Sequence, residues 1–529
     1  MLEKIEAQKQ KSAEERGVIA CYEPASLKAL GEVKIVAPDE LAARIASARK
    51  AQQIWAKTPF RERARVLGLV QDYLLAHADE LVDVICRDSG KTRHNAMVGE
   101  IWPTVEKARW TAAHGERYLQ SEPMPAGVFP HKKARIDYQP LGVIGIIAPW
   151  NYPLQNVVGP TLPALMAGNA VVIKVSEWVA WSAAHFQKIF DSAFKAAGYP
   201  VELVQVINGY AATGAALIGQ VDKVVFTGSM PNGKRVLAEA AKTLTPVVLE
   251  LGGKDALIVC DDAHLEQAVH AALTGSFLNC GQNCLASERA LVFERVYDAF
   301  AQRVSEEANK LRQGNPLGDQ TVDVGAIVSP LQLGLIEELV NDAIASGAKL
   351  LAGGKRVLRE QGQFFQPTVL GDVTPDMRIA HEETFGPVML LMRVRDEDHA
   401  LEVANGTPYG LGATVLTKDP RRARRMSEAL VVGQVSVNDF ALTYMASELP
   451  FGGVRGSGFG RLNGREGLRA CTNQKAVLDD RLPLHVPAKV FPVGEHGTAI
   501  ARDVIRVLYE RSIMGRVNAV GGLVKALLK

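Results

Sequence analysis

The sequence predicts an α/β protein built on parallel sheets. From Val143 onward, short apolar runs alternate with helical stretches, and the first series reads VIGIIAP, AVVIKV, DKVVFTG, TPVVLELGG and DALIVC. Continuous Val, Ile and Leu runs are typical of strands buried on both faces of a parallel sheet. A second series follows from about Arg289, with RALVFE, GAIVS, PVMLLMRV, GATVLT and GQVSVND. We therefore expect two α/β domains.

Length, charge and cysteine content set broad limits. A chain of 529 residues is too long for one compact core. The 60 basic and 58 acidic side chains leave a net charge of +2, so nucleic-acid binding is not expected. Six cysteines without the spacing of a disulfide scaffold, and a charged N-terminus without an apolar signal-peptide core, predict a cytoplasmic protein.

The segment between the N-terminal helices and the first sheet is strongly apolar. Helices are expected at 39–57 and 61–87, where apolar residues recur at helical spacing. No charged residue occurs from Tyr138 to Ile173, a length that could span a membrane. Five prolines within it would break a spanning helix, so a strand, a loop and a short helix are expected instead.

Two short motifs concern phosphate binding. DSGKT ends like a phosphate-binding loop, but Ile85 stands where that motif needs its first glycine, so we interpret the segment as a helix that ends at Gly90. FTGSMPNG follows a predicted strand, and its Gly228 and Gly233 open a helix. The free backbone amides of a helix start are able to hold a phosphate, although many such turns carry glycine without doing so.

The sequence NCGQNC contains Cys280 and Cys284. A zinc site would need two further ligands at close spacing, and the nearest histidines, His264 and His270, lie in a predicted helix without paired spacing, so no metal is expected. A cysteine in this position is either a nucleophile or a buried, inert side chain. The residues alone do not choose between the two cysteines.

Seven segments, in order, resemble the motifs of the NAD(P)-dependent aldehyde dehydrogenase superfamily over residues 30–480. They are PWN at 149–151, KVSE at 174–177, FTGS at 226–229, ELGGK at 250–254, GQNC at 281–284, EETFGPV at 382–388 and PFGGVRGSGFGR at 450–461. The distances along the chain from Glu250 to Cys284 and from Asn151 to Lys174 are also similar to those of the family. The NDFALTYM segment and a C-terminal extension resemble a divergent branch that also occurs in plants and fungi.

The resemblance implies a covalent reaction on Cys284, which matches the family's nucleophile. Asn151 matches the donor that stabilises the oxyanion, and Glu250 matches the general base. The implied reaction is NAD-dependent oxidation of a small-molecule aldehyde through a thiohemiacetal and a thioester, which water activated by Glu250 hydrolyses. Relatives that pass the acyl group to coenzyme A tend to lack this glutamate, so a free carboxylic acid is the expected product.

The resemblance also implies a cofactor site. The matching positions are Trp150, Lys174, Ser176, Glu177, Gly228, Ser229, Gly233, Glu383 and Phe385. Lys174 and Glu177 match the pair at the adenosine ribose, where a carboxylate accepts a hydrogen bond from a 2′-hydroxyl and repels a 2′-phosphate. NAD is therefore the expected cofactor, with NADP as an alternative because Lys174 is able to pair with a phosphate.

The family's organisation implies how the chain divides. The expected parts are an NAD-binding domain at 1–250 to which 435–470 return, a catalytic domain at 251–434, bridging strands at 122–140 and 471–485, and a helical extension at 486–529. The bridging strands join subunits in relatives, so a homodimer or homotetramer is expected. The aldehyde dehydrogenase-like fold is thus two doubly wound α/β domains with a small bridging β-sheet.

The C-terminal extension carries two apolar stripes at helical spacing, and no acidic residue follows Glu510. Such a basic amphipathic tail is able to rest on a membrane surface. We favour the alternative that it packs on the body of the protein or on a neighbouring subunit, because most such stripes are buried in protein.

Three alternatives concern the substrate and the activity. A semialdehyde dehydrogenase, such as the succinate-semialdehyde type, would need a cation in the substrate funnel. A non-catalytic NAD-binding or structural homologue is disfavoured because Cys284, Glu250 and Asn151 are all present. Gly159 stands where several relatives carry a bulky aromatic, which suggests a roomier funnel for long or bulky aldehydes.

Overall fold

A computed structural model describes residues 13–357, 362–481 and 491–527. The chain divides into two compact units. The larger unit contains the residues up to Leu119 together with Gln139–Asn473, and the smaller contains Gln120–Tyr138 together with the residues from Gln474 onward.

Strands are numbered in chain order through the described residues. They are β1 (Val18–Tyr22), β2 (Ala29–Lys34), β3 (Glu122–Met124), β4 (Lys132–Pro140), β5 (Val143–Ile147), β6 (Ala170–Lys174), β7 (Val204–Ile207), β8 (Lys223–Gly228), β9 (Val247–Leu251), β10 (Ala256–Val259), β11 (Arg289–Phe293), β12 (Lys349–Ala352), β13 (Thr368–Gly371), β14 (Val388–Val394), β15 (Gly412–Leu416), β16 (Gln434–Val437), β17 (Gly458–Phe459) and β18 (Thr472–Asp480).

The helices are designated by their residues. The α-helices span Pro38–Trp55, Phe60–Ala76, Ala78–Ser89, Arg93–Ala96, Trp102–Leu119, Pro153–Met166, Ala183–Ala197, Ala211–Ile218, Met230–Ala241, Leu265–Phe277, Glu294–Ala308, Pro330–Ala345, Glu397–Asn405, Pro420–Ala429, Leu442–Met445, Gly464–Ala470, Gly497–Tyr509 and Ile513–Leu527. A π-helical turn spans Met97–Ile101, and short 3-10 turns span Glu177–Val179, Val201–Leu203, Leu278–Gly281, Arg378–Ala380 and Arg455–Ser457.

The first large sheet has six strands in the order β17-β9-β8-β5-β6-β7. β5 to β9 pair in parallel, and the short β17 is antiparallel to β9. The chain passes from β5 to β6 and β7 on one side, and later to β8 and β9 on the other. Ligands of open parallel sheets bind outside the carboxyl ends of the strands where the order reverses. This topology predicts a binding crevice at the end of β5.

The second large sheet has seven strands in the order β12-β13-β14-β11-β10-β15-β16. Its strands are parallel except for β12, which is antiparallel to β13. Apolar side chains of β10, β11 and β14 form the centre of a buried core with the helices that flank them. Both large sheets belong to the larger unit. The prediction of a mixed α/β fold with parallel sheets is confirmed.

Two local predictions are wrong. The helix expected at 61–87 is two helices that meet at His77, whose φ of −114° and ψ of 21° depart from helical values. GAIVS, at 325–329, forms no strand, because its backbone amides bond to separated loops instead of to a neighbouring strand. Ile327 N donates to the carbonyl oxygen of Gln363 at 2.7 Å, and Val328 N donates to Oε1 of Gln282 at 2.9 Å.

The smaller unit contains a three-stranded sheet and the C-terminal helices. The sheet order is β18-β4-β3, with β3 and β4 antiparallel. The helices Gly497–Tyr509 and Ile513–Leu527 pack against each other, and Gly522 lies against the carboxylate of Asp503. No helix within the described residues is long and apolar enough to cross a membrane.

Candidate active site

The ends of the first sheet's strands carry most of the residues that the sequence motifs single out. Trp150 and Asn151 follow β5, Lys174 ends β6 and is followed by Ser176 and Glu177, and Gly228 ends β8. Glu250 lies in β9, with its Cα opposite that of Thr227 in β8. Because the strands are parallel, these positions share one edge of the sheet.

Cys284 follows a tight turn that only particular residues permit. Asn279, Cys280 and Gly281 all have positive φ, at 54°, 57° and 68°. A Cβ at Gly281 would lie 1.9 Å from the carbonyl oxygen of Gly386, so the close approach of these two segments requires glycine. The turn carries Cys280 into the buried core of the second sheet, whereas Cys284 stays partly accessible. The structure thus separates the two cysteines that the residues alone did not.

Glu250 and Cys284 lie side by side. Glu250 is only 2% exposed, and its Oε1 atom has no hydrogen-bond partner within the described part of the chain. Burial raises the pKa of Glu250 to about 7, and the nearby Cys284 thiol and Thr227 hydroxyl partly offset that effect. Burial also raises the pKa of Cys284, and the Glu250 carboxylate raises it further. The pair therefore holds a proton near neutral pH.

Hydrogen bonds to its carbonyl oxygen hold Asn151 in place, and its side-chain amide contacts the loop that carries Cys284. Its Nδ2 donates to the carbonyl oxygen of Gln282 at 3.3 Å, a long bond, and its Oδ1 accepts from Asn156 Nδ2 at 3.3 Å. The Asn151 carbonyl oxygen accepts from Lys91 Nζ at 2.8 Å and from Asn279 Nδ2 at 2.9 Å. The side-chain amide is thus close to the cysteine and only weakly engaged.

Lys91 and Glu100 support this loop, a role that no sequence motif indicates for either of them. Their fully buried side chains form an ion pair at 2.8 Å, and Glu100 Oε2 accepts from the amides of Leu154 and Gln155 at 2.9 and 3.0 Å. Lys91 belongs to the DSGKT segment, whose expected helix end at Gly90 is present with φ of 68°. The lysine therefore anchors the Asn151 loop instead of a phosphate.

An apolar wall lies against the thiol. The buried side chains of this thiol-facing cluster are Leu285, Leu411, Phe440 and Phe451, with Cys284 and Tyr444 packed against them. The rings of Tyr444 and Phe451 meet edge to face, with centroids 4.7 Å apart. Burial raises the pKa of Tyr444 well above its usual value, so the phenol is neutral beside the thiol. Such surroundings suit the carbon chain of a substrate.

The positions that match the adenosine end of a cofactor lie along β6 and β8. Lys174 Nζ and Glu177 Oε2 are 3.3 Å apart, and Ser176 Oγ accepts from the amide of Trp178 at 3.4 Å. Ser229 precedes the helix Met230–Ala241, whose first amides face the sheet edge. The helix packs closely because Gly233 has no side chain: a Cβ there would lie 2.5 Å from Leu251.

Glu383 and Phe385 come from the second sheet's side of the crevice. The amide of Gly253 donates to Glu383 Oε1 at 3.1 Å, and the rings of Phe385 and Trp150 lie at 90° with centroids 5.4 Å apart. This contact joins the loops that follow β5 and precede β14. Partial burial of Glu383 raises the pKa of its carboxyl well above the usual value.

A buried ion pair holds the Glu383–Phe385 loop. Glu288 pairs with Lys254, and its two oxygens accept from the amides of Thr384 and Phe385 at 2.9 and 2.8 Å. Lys254 Nζ also donates to Thr384 Oγ1 at 3.0 Å. Sequence reasoning missed Glu288 because it stands outside every recognised motif. Among the described residues, no group of three His, Cys, Asp or Glu side chains could hold a metal ion.

The residues at this edge and in the Glu383–Phe385 loop fit a dinucleotide, since they include a helix start, the Glu177 carboxylate and the partly buried Glu383 carboxylate. The family model described as Aldehyde dehydrogenase family matches residues 10–477. An aldehyde dehydrogenase-like protein of Saccharomyces cerevisiae is 39% identical over 536 residues, which cover 97% of this chain and 83% of the yeast protein. A succinate-semialdehyde dehydrogenase [NADP(+)] of Deinococcus radiodurans is 38% identical, covering 83% of this chain and 90% of that protein.

Solved structures of aldehyde dehydrogenases also align with this chain. The NAD+ complex of aldehyde dehydrogenase from Bacillus cereus aligns with a TM-score of 0.83 at 32% identity. The alignment covers 88% of this chain and 94% of the Bacillus chain. The chain therefore belongs to the aldehyde dehydrogenase family, a family of oxidoreductases that act on aldehydes with NAD(P).

Proposed function

We propose that this protein oxidises an aldehyde to the free carboxylic acid through a covalent intermediate on Cys284, with NAD as the preferred acceptor. The observation that carries the proposal is the Glu250 carboxylate beside the Cys284 thiol, buried and with a pKa of about 7. A carboxylate with such a pKa is a suitable general base near neutral pH. The neighbouring amide of Asn151 supplies a donor for the charge that develops.

The first step is attack on the carbonyl carbon by the Cys284 sulfur. Glu250 accepts the thiol proton, because its carboxylate adjoins the thiol and no other group occupies its Oε1 atom in the described structure. The carbonyl π electrons move to oxygen, which becomes an oxyanion. Asn151 Nδ2 and the backbone N–H of Cys284 stabilise that oxyanion, which requires Asn151 to exchange its long bond to Gln282 for the stronger charged one.

The thiohemiacetal becomes a thioester by losing a hydride, for which a bound NAD(P)+ would supply the acceptor. Lys174, Ser176, Glu177 and the start of the helix Met230–Ala241 would hold the adenosine and phosphate end. Glu383 and Phe385 would hold the nicotinamide end. The Trp150–Phe385 contact and the buried Glu288–Lys254 pair hold the loop after β5 and the loop before β14 in fixed positions relative to each other.

The last step is hydrolysis of the thioester. After Glu250 has released the thiol proton to solvent, it takes a proton from a water molecule, and the resulting hydroxide attacks the acyl carbon. The C–S bond then breaks and releases the acid, and the Cys284 thiolate takes the proton from Glu250, which restores the starting pair. The apolar wall of Leu285, Phe440 and Phe451 limits competing solvent beside the acyl group. A glutamate in this place supports hydrolysis over transfer of the acyl group to another thiol.

The direct test is NADH formation by the purified protein over a series of aldehydes from propanal to dodecanal, together with succinic semialdehyde. Wild-type turnover that disappears in Cys284→Ala supports the proposal, with the acid identified by mass spectrometry. Folded protein that binds NAD but oxidises none of these aldehydes would favour the non-catalytic alternative. Equal turnover by Cys284→Ala would eliminate the proposed covalent route.

We also propose that the small sheet forms a subunit interface. The edge strand β18 is largely exposed, including Leu478 at 53%. Open edge strands with exposed apolar side chains are usually covered by a partner. Light scattering after size exclusion should give a dimer or tetramer mass, and Leu478→Lys should lower it. A monomer at micromolar concentration would contradict this interface.

For the C-terminal helices, we propose contact with an anionic membrane. Eleven large apolar side chains are exposed in this segment: Phe491, Val493, Val504, Ile505, Leu508, Tyr509, Ile513, Met514, Val517, Val520 and Val524. Basic residues accompany them, and no acidic residue follows Glu510. Co-sedimentation with anionic vesicles should be lost on deletion of 491–529 and weakened by Ile513→Glu. Unchanged binding by the deletion variant would refute membrane contact through this segment.

A further inference from the structure

Lys107 is a buried lysine without a counter-ion. Among the described residues, four lysines are buried: Lys91, Lys107, Lys174 and Lys254. Three of them pair with Glu100, Glu177 and Glu288 respectively. In the described part of the chain, neither a hydrogen bond nor an ion pair is found for the Lys107 ammonium, although the residue is only 6% exposed. Burying a charge without a partner is energetically costly, so we expect the Lys107 ammonium to pair with a group of a bound ligand.

The ammonium lies close to the position that a Cβ at Gly159 would occupy. That Cβ would lie 3.7 Å from Lys107 Nζ and 3.0 Å from Gln155 Nε2, so two nitrogen donors border this small space. Among the described residues, the hydroxyl oxygen of Thr104, three positions before Lys107, is buried and also lacks a hydrogen-bond partner. The polar atoms beside Gly159 are the two nitrogen donors, which favour a polar group over a bulky apolar one at this end of a substrate.

This space lies on the helix Pro153–Met166, which begins two residues after the proposed oxyanion donor Asn151. Gln155 and Gly159 are four residues apart within that helix. Residues spaced by four lie along one face of a helix, and Gly159 is about 9 Å along the axis from Pro153 at the usual rise per residue. A substrate with its carbonyl at Cys284 and its chain along this face would reach Lys107 with its far end.

We propose that Lys107, assisted by the Gln155 amide, binds a carboxylate at the far end of the aldehyde substrate. The preferred substrates are then ω-oxo acids whose carboxylate is several carbons from the aldehyde. This inference rests on the proposed function, since it assumes that the aldehyde carbon meets Cys284. Burial lowers the pKa of Lys107 to about 8, and among the described residues the Cys471 thiol is the titratable neighbour that partly offsets this effect, so the ammonium is present at neutral pH.

The principal test compares two substrates of equal chain length, 6-oxohexanoate and hexanal. Lys107→Met should lower kcat/KM for 6-oxohexanoate by about 10- to 100-fold, chiefly through KM, because it removes one charged hydrogen bond. The same variant should change kcat/KM for hexanal by less than about threefold, and Lys107→Arg should retain the preference for the oxo acid. An equal loss on both substrates, or no wild-type preference for the oxo acid, would overturn the inference.

A matched control is Lys223→Met. Burial also lowers the pKa of Lys223, but its ammonium already donates to the carbonyl oxygen of Ala470 at 2.6 Å, so the ratio of the two substrates should not change. If Lys107→Met does not fold, Gly159→Ala tests the same space, since its methyl group would crowd the carboxylate between Lys107 and Gln155. It should lower kcat/KM for 6-oxohexanoate more than for hexanal, and the reverse order would overturn the inference.

Adipate binding separates this inference from the proposed function. Adipate is a dicarboxylate of the same length that cannot be oxidised as an aldehyde, and calorimetry should detect its binding to the wild type but not to Lys107→Met. Binding that depends on Lys107 without turnover of any aldehyde would support the anion site and refute the proposed function. Turnover of aldehydes with adipate binding unaffected by Lys107→Met would support the proposed function and refute the anion site.

Discussion

The Glu250 carboxylate lies beside the Cys284 thiol, and the charge of one alters the proton affinity of the other. Burial raises the pKa of Glu250 to about 7, and the Glu250 carboxylate helps to raise the pKa of the thiol. A thiol in this environment needs a base to lose its proton, and the adjacent carboxylate is able to serve as that base. One side chain can thus assist both attack on the aldehyde and hydrolysis of the thioester.

Glu250→Gln should separate these two steps. Without the base, the steady-state rate should fall by about 100- to 10,000-fold, while the first turnover on Cys284 falls less because bulk base is able to deprotonate a thiol. Stopped-flow absorbance should therefore record a burst of NADH close to the enzyme concentration, followed by a slow phase. Cys284→Ala should give no burst. A steady-state rate equal to the wild type would contradict a role for Glu250 as base.

The pH dependence of kcat should report the same carboxyl group. Glu250 acts as a base only when ionised, so activity should rise as the pH increases and level off above a midpoint near pH 7. The raised pKa therefore places the loss of activity on the acidic side. The profile should be measured from pH 5.5 to 9, with Glu250→Gln as the control. Persistence of this limb in that variant would assign it to another group.

Asn151→Ala should lower kcat/KM by about 100- to 1000-fold, because the oxyanion loses a donor when Nδ2 is removed. Affinity for NAD, measured by fluorescence titration, should stay close to that of the wild type. The matched control is Asn156→Ala, which removes only the bond to Asn151 Oδ1 at 3.3 Å and should cost no more than a few-fold. Equal losses in the two variants would indicate that Asn151 is needed for the shape of the loop alone.

The strands were predictable from sequence because burial on both faces of a parallel sheet leaves a strong signal. All five runs of the first series form strands, namely β5, β6, β8, β9 and β10. GAIVS is equally apolar, but its backbone amides donate hydrogen bonds to loops. These partners are distant along the chain, so the five residues do not predict them. The break between the two helices at His77 could not be predicted from the sequence either, because the helical spacing of apolar residues continues from one helix into the next.

The site was only partly predictable. The motifs supplied the residues at the strand ends, and the topology explains why they share one edge. Lys91, Glu288 and Lys107 lay outside the prediction because their roles depend on contacts between distant segments. Glu288 supports a loop 96 residues further along the chain, and Lys107 is defined by the absence of a partner among the described residues. Neither feature can be recognised from the residues that lie next to it in the sequence.

Glu177→Gln should shift cofactor preference toward NADP. The carboxylate repels a 2′-phosphate and accepts a hydrogen bond from a 2′-hydroxyl, and it also neutralises Lys174 at 3.3 Å. Removing the charge should raise the ratio of kcat/KM for NADP to that for NAD by about tenfold, since roughly 1.4 kcal/mol corresponds to that factor. Lys174→Met should move the ratio in the opposite direction. An unchanged ratio in Glu177→Gln would place the ribose elsewhere.

Glu288→Gln should destabilise the protein and weaken cofactor binding together. Removing one partner of a buried ion pair typically costs about 3 to 5 kcal/mol, because the Lys254 charge is left buried and unpaired. The same carboxylate holds the amides of Thr384 and Phe385, so the loop that carries Glu383 should loosen and KM for NAD should rise. Urea denaturation and cofactor titration would measure the two effects.

The double variant Lys254→Met/Glu288→Gln provides the control for that experiment. Removing the second charge should recover part of the lost stability, since no unpaired charge remains, but it should not restore cofactor affinity because the loop still lacks its carboxylate. Glu266→Gln breaks an exposed pair with Arg303 and should leave the urea midpoint almost unchanged. If Glu288→Gln lost stability while KM for NAD stayed the same, the ion pair would support the fold without positioning the cofactor loop.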